Sequence, residues 1–96
     1  MNPLILHLKY KYYNMIKKGE KKVEYRVKKP YWDRRLKDRK EIIFVPGYVV
    51  DNSWDLKASI VGVDVVSFFN LPDYVKKEFA NSSENEFYAI KFKLKS

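Results

Sequence analysis

The chain has 96 residues, enough for one domain spanning residues 1–96, and its 46% hydrophobic and 17% aromatic content excludes a disordered protein. Because it contains no cysteine, disulfides and cysteine-based zinc sites are excluded as well. Its formal net charge of +8 favours a polyanionic partner, and nucleic acid is the commonest partner of that kind.

The first third of the chain changes from strand to helix and back to strand. In residues 4–9 every second residue is a leucine, which predicts a strand with one buried face. Residues 10–18 place Tyr12 among apolar residues at helical spacing, so we expect a helix that buries Tyr12 and ends at Gly19. Residues 21–28 alternate again and predict a second strand.

The second strand has one apolar and one charged face. Val23, Tyr25 and Val27 lie on one face, and we expect them to pack inward. Glu24 and Arg26 are two residues apart, so they share the other face, which we expect to meet solvent or a groove.

The remaining elements are predicted from alternation, glycine and proline positions, and helix-start signals. They are a basic loop with a helical turn near residues 33–37, a strand at 41–45, a turn region at 48–54, a long strand at 56–69, a helix that begins at 70–73, and a last strand at 86–94. Gly62 lies in the middle of the long strand, where it predicts a bulge or bend. A bent strand pairs at both ends, so we expect an α+β, β-rich fold: a small β-barrel with two helices.

One motif combines a glycine turn with three charged side chains. Gly19, Lys21, Glu24 and Arg26 form the pattern G-x-K-x-x-E-x-R between the first helix and the second strand. A carboxylate beside a guanidinium is either a plain ion pair or a site where the carboxylate orients the arginine toward a ligand. An arginine so close makes Glu24 an ion-paired or ligand-orienting group rather than a general base.

The basic segment at residues 28–40 interleaves cations with aromatic rings. This composition suits phosphate contact combined with base stacking. The candidate phosphate contacts are Lys28, Lys29, Arg34 and Arg35, and the candidate stacking residues are Tyr31 and Trp32.

The motif and the order of elements resemble the ASCH domain family, which has a PUA-like β-barrel fold. The pattern at Gly19, Lys21, Glu24 and Arg26 carries the resemblance, and the last strand at residues 86–94 supports it. The resemblance implies a PUA-like barrel with a groove between the motif strand and the first helix, proposed in the family to bind RNA.

One branch of that family implies an enzyme instead. Its members hydrolyse the nucleoside N4-acetylcytidine with a lysine, a threonine three residues later and a more distant glutamate; other relatives are described as ribonucleases. Here Lys21 matches the lysine, Glu24 replaces the threonine, and the chain contains no threonine at all. The glutamate cannot be carried over, because the matching helical stretch is shorter and Glu78 is only a nearby acid.

We therefore predict an RNA-binding domain whose groove is lined by Lys9, Lys21, Glu24 and Arg26, with Arg26 making the directional contact. The alternative is a small hydrolase acting on a modified nucleoside or RNA, in which Lys21 and Glu24 would be catalytic. A protein-interaction module that binds an acidic partner is a third possibility.

The sequence lacks the patterns expected of metal sites, signal peptides and membrane-spanning segments. We expect no cofactor and no metal, since the acidic residues lack ligand spacing. The N-terminus does not resemble a signal peptide, and no apolar stretch approaches the roughly 18 residues of a membrane span. We therefore expect a soluble cytoplasmic protein with no membrane partner.

Overall fold

The computed structural model describes residues 2–47 and 55–95, so the predicted turn region at 48–54 lies outside the described residues. The strands are β1 (Leu4–Leu8), β2 (Val23–Val27), β3 (Glu41–Pro46), β4 (Leu56–Ser67) and β5 (Glu86–Leu94). The helices are α1 (Tyr10–Lys17), α2 (Pro30–Leu36) and α3 (Asp73–Glu78), with a 3₁₀ turn at Phe68–Asn70. None of the helices in the described parts of the chain is long and apolar enough to cross a membrane.

The five strands form one curled, half-barrel sheet in the order β1-β3-β4-β5-β2. β1 and β3 are parallel, and the other neighbouring strands are antiparallel. The register between β4 and β5 shifts between Ile60 and Gly62, which confirms the bulge predicted at Gly62. The α+β, β-rich, barrel-like prediction is confirmed, but α2 adds a third helix to the two expected.

The third helix forms where a mostly irregular basic loop was expected. Pro30 occupies the first turn, where its missing N–H costs nothing, and Asp33 places an acid near the positive end of the helix. Tyr88 on β5 donates its hydroxyl proton to the Asp33 carboxylate, which fastens α2 to the sheet. This hydrogen bond raises the pKa of Tyr88 to about 12 and lowers the pKa of Asp33.

The main core covers what we call the inner face of the sheet. It contains the alternating leucines of β1, confirming that strand's buried face, and its other large members are Tyr13, Ile16, Ile42, Phe44, Ile90 and Phe92. The expectation for α1 was wrong by one position, because Tyr13 is buried whereas Tyr12 is only partly buried. Tyr12 instead turns its hydroxyl toward the Glu78 carboxylate.

A smaller core on the opposite, outer face explains the orientation of β2. Tyr25 and Val27 pack there, against the cluster formed by Val75 of α3 and its neighbours. In the register of β2 with β5, Glu24 is opposite Ile90 and Arg26 is opposite Tyr88, two residues of the main-core face. The prediction that the apolar face of β2 packs into a core is therefore confirmed, but that core is the smaller outer cluster, and the two charged side chains project to the inner face.

Candidate functional site

A pocket of about 400 Å³ lies where the two edge strands of the half-barrel, β1 and β2, approach each other. The two strands are at opposite ends of the sheet order, and no ladder of backbone hydrogen bonds joins them. The Arg26 guanidinium spans the gap, since its Nη2 donates to the backbone carbonyl of His7 at 3.3 Å. The pocket volume falls within the roughly 300–1,000 Å³ range of small-molecule sites.

An ion triad, of which Lys21 and Glu24 are buried and Arg26 is partly exposed, forms one wall of this pocket. The Glu24 side chain is flanked by Lys21, whose Nζ lies 3.3 Å from Oε1, and by Arg26, whose Nη2 lies 2.8 Å from Oε2. Lys21 and Glu24 retain only 4% and 7% of their exposure. Buried charges persist when they are paired and hydrogen-bonded, and one anion here is shared by two cations.

Lys21 is held in a cage of tyrosines. Its ammonium nitrogen lies 5.3–5.7 Å from the ring centres of Tyr12, Tyr25 and Tyr74. Besides Glu24, it donates to the Val23 carbonyl at 2.7 Å and reaches the Tyr74 hydroxyl at 3.4 Å. A lysine has three N–H donors, so these three acceptors account for all of them, and Lys21 is placed as an internal cation.

Arg26 keeps donors that the protein does not use. Its Nη2 serves Glu24 and His7, but its buried Nε finds no hydrogen-bond partner in the described parts of the chain. The guanidinium lies over the Trp32 ring, 5.1 Å from the ring centre. Guanidinium and indole therefore form a cation–π pair inside the pocket, which we call the Arg26–Trp32 surface.

The far wall carries a second acid, Glu78 of α3. Its Oε1 accepts the Tyr12 hydroxyl proton at 2.5 Å, and its Oε2 accepts from Lys9 Nζ at 2.9 Å. The Tyr12 hydrogen bond, followed by that from Lys9, lowers the pKa of Glu78. Burial raises the pKa of Tyr12, and the Glu78 carboxylate raises it further.

The structure separates the predicted site residues into two groups. Lys9, Lys21, Glu24, Arg26, Lys29 and Trp32 line the pocket, whereas Lys28, Tyr31, Arg34 and Arg35 do not. The second group includes Arg35, whose guanidinium lies 5.2 Å from the Tyr31 ring centre and 5.9 Å from that of Trp32. Arg35 and Tyr31 therefore continue the cation–aromatic surface of α2 outward from the pocket.

The pocket also contains polar residues that were not predicted, among them Tyr12, Tyr74 and Glu78. Tyr12 was assigned to the core, and nothing local connects Glu78 with Lys9, which is 69 residues away in the chain. They meet because α3 lies beside the junction of β1 and α1. The alternation of residues within a single strand or helix does not predict which elements pack together.

The pH dependence of stability tests the Tyr12–Glu78 contact. A carboxylate with a lowered folded-state pKa stabilises the fold above its unfolded pKa, near 4.3, and loses that contribution as the pH falls through the lower folded value. We expect Tyr12→Phe to melt at a lower temperature than the wild type at pH 7, with the difference shrinking toward pH 3. An unchanged difference at both pH values would show that the hydroxyl stabilises the fold independently of the Glu78 charge.

Within residues 2–47 and 55–95, no three His, Asp or Glu side chains are grouped closely enough to hold a metal ion. No protein-family model matches the chain, and a search of curated proteins found no match. The function of the chain must therefore be inferred from the chemistry of its pocket.

Proposed function

We propose that this protein is a nucleic-acid-binding domain with a preference for RNA, and that its pocket receives one unstacked base. The observation that carries the proposal is the Arg26–Trp32 surface inside a cavity of nucleoside size, on a domain of net charge +8. Sequence-specific RNA recognition commonly uses single-stranded bases stacked on aromatic rings or guanidinium planes.

Arg26 supplies the directional contact in this proposal. The Arg26 side chain keeps 23% of its exposure, so the outer edge of its guanidinium can donate to a base carbonyl or to a phosphate oxygen. Glu24 holds the guanidinium in place by accepting a hydrogen bond from it. The two oxygens of Glu24 also accept from Lys21 and from the Tyr25 backbone N–H. Glu24 therefore positions the arginine and has little capacity left for a base amino group.

In this proposal, cations at the pocket mouth contact the phosphate backbone of the RNA. Lys9 and Lys29 line the pocket with largely exposed side chains, and each faces a carboxylate, Glu78 at 2.9 Å and Glu84 at 3.9 Å. Exposed ion pairs of this kind are worth little, so a phosphate can replace the carboxylate at low cost. Arg34, Arg35 and Tyr31 extend the basic and aromatic surface along α2.

Fluorescence anisotropy against matched single-stranded RNA, duplex RNA and single-stranded DNA tests the proposal. We expect the single-stranded RNA to bind most tightly and to remain bound at roughly 150–200 mM salt. Equal affinity for all three, with a steep loss on adding salt, would mean that the net charge alone attracts the polymer and that the pocket takes no base.

A hydrolase acting on a modified nucleoside is the second candidate. It is favoured by the Lys21–Glu24 contact of 3.3 Å inside the pocket and by Glu78 on the opposite wall. Against it, Lys21 has all its protons engaged and Glu24 is paired with Arg26, so neither is free to attack or to activate water.

N4-acetylcytidine turnover, followed by chromatography of the released cytidine, separates the two candidates. We expect no turnover above the uncatalysed rate. A rate that disappears in Lys21→Ala, while that variant still unfolds cooperatively, would place the hydrolase first.

A further inference from the structure

One stretch of the central strand β4 has a neighbour on only one side. β3 pairs with β4 over Leu56–Ser59, and the Ile60 N–H donates to the Lys40 carbonyl at 2.8 Å. Val61 is the extra residue at the bulge, and from residue 62 to residue 67 β4 pairs with β5; no other strand in the described parts of the chain pairs with residues 61–67. We call residues 61–67 the free edge; its outward N–H and C=O groups are arranged to pair with another strand.

The free edge is apolar on a strongly basic protein. Val61, Val63 and Val65 are 64%, 40% and 48% exposed, so three β-branched side chains lie together at the surface of one strand. The charge of Asp64 is compensated by Lys91, whose Nζ lies 2.8 Å from Oδ2.

We propose that the free edge pairs antiparallel with the free edge of a second copy of this chain, with a two-fold axis at Asp64. The two ends of the edge set this register. Lys40 covers the strand at Ile60, and the 3₁₀ turn at Phe68–Asn70 ends the strand after Ser67. Two seven-residue edges overlap along their whole length only when each Asp64 lies opposite the other.

Side chains on both faces fit this pairing. On the inner face, Val63 of each copy lies opposite Val65 of the other, and directly opposite β-branched residues are a stabilising cross-strand pair. On the outer face, the two Asp64 carboxylates meet at the axis, and the Lys91 ammonium beside each of them offsets the repulsion between like charges directly opposite each other. The resulting group of two carboxylates and two ammonium ions is neutral, whereas most other contacts between two +8 surfaces would be repulsive.

Sedimentation equilibrium of the full chain, free of RNA, tests the pairing. We expect a dimer whose fraction rises with protein concentration and with salt, since salt screens the repulsion between copies. Val65→Lys should restore the monomer, whereas the matched control Ile5→Lys, at an exposed apolar position of β1, should leave the dimer intact. A wild-type monomer at every concentration and salt, or equal effects of both variants, would overturn the proposal.

Cross-linking tests the register and does not depend on Val65→Lys folding. Because the chain contains no cysteine, Asp64→Cys introduces a single thiol. Residues directly opposite each other on antiparallel strands have Cα atoms about 4.5–5.5 Å apart, within the range a disulfide needs. Mild oxidation should cross-link Asp64→Cys much faster than Phe69→Cys, whose position is 83% exposed but outside the free edge. Equal rates would contradict the register.

Discussion

Replacing Glu24 with alanine is expected to lower the free energy of unfolding by about 3–5 kcal/mol, the usual cost of removing one partner from a buried ion pair. The reason is the fate of Lys21, which is 4% exposed and enclosed by three tyrosine rings. Without the carboxylate its ammonium loses its counter-charge and remains out of reach of water. Urea denaturation followed by circular dichroism measures the change.

Two further variants compare the stability lost at the Lys21–Glu24–Arg26 triad with that lost at the more exposed Glu78 ion pair. Lys21→Met should cost less than Glu24→Ala, because Glu24 keeps Arg26 at 2.8 Å and the methionine side chain remains compatible with the tyrosine cage. Glu78→Ala, which removes a more exposed carboxylate, should cost least. Similar losses in all three variants would show that burial of the Lys21–Glu24 pair contributes nothing special to stability.

The two-residue period of a strand predicted part of this site and missed part of it. It placed Glu24 and Arg26 on one face, and the structure confirms that they share a face. It placed the apolar face of β2 in a core, and the structure confirms this, but it gave no sign that the sheet has two apolar clusters, one on each face. Tyr25 and Val27 pack in the outer cluster, leaving the inner face at this edge to the charged pair.

The other features that the sequence did not predict depend on contacts between residues that are far apart in the chain. Local signals predicted all five strands, the bulge and two of the helices, since these depend on neighbouring residues. Whether Lys21 is exposed or buried depends on Tyr74, which is 53 residues away, and the third helix is fastened by Tyr88 on the last strand. Charge composition alone gives no indication that this lysine is enclosed by tyrosine rings.

The enclosure of Lys21 matters for function, because a list of basic residues does not say which of them can make a specific contact with a ligand. Lys21 is neutralised inside the protein, and Lys9, Lys28 and Lys29 each face a carboxylate. Arg26 is also paired with a carboxylate, Glu24, but it is the cation that combines a pocket position, a donor without a partner in the described residues, and an aromatic ring beneath its guanidinium. Specific recognition is therefore expected to depend on the Arg26–Trp32 surface far more than on the number of lysines.

Trp32→Leu is accordingly expected to weaken single-stranded RNA binding about 10- to 100-fold, since stacking of one base is worth ~1–3 kcal/mol. Leucine keeps apolar contact with the main core, which Trp32 borders, but removes the flat ring. Arg26→Ala should cause a comparable loss, because it removes the other half of the surface. Anisotropy titrations at fixed salt measure both, with thermal melts confirming that each variant is folded.

Lys40→Ala is the control for charge alone. Lys40 is an exposed cation outside the pocket lining, so its loss should reduce affinity only slightly and equally for RNA and DNA. Tyr31→Ala should fall between the two, since Tyr31 lies on α2 beyond the pocket, next to Arg35. If Arg26→Ala, Trp32→Leu and Lys40→Ala all gave the same small loss, binding would be spread over the basic surface and no base would enter the pocket. A large loss in the first two alone would identify the gap between β1 and β2 as the place where the domain holds its ligand.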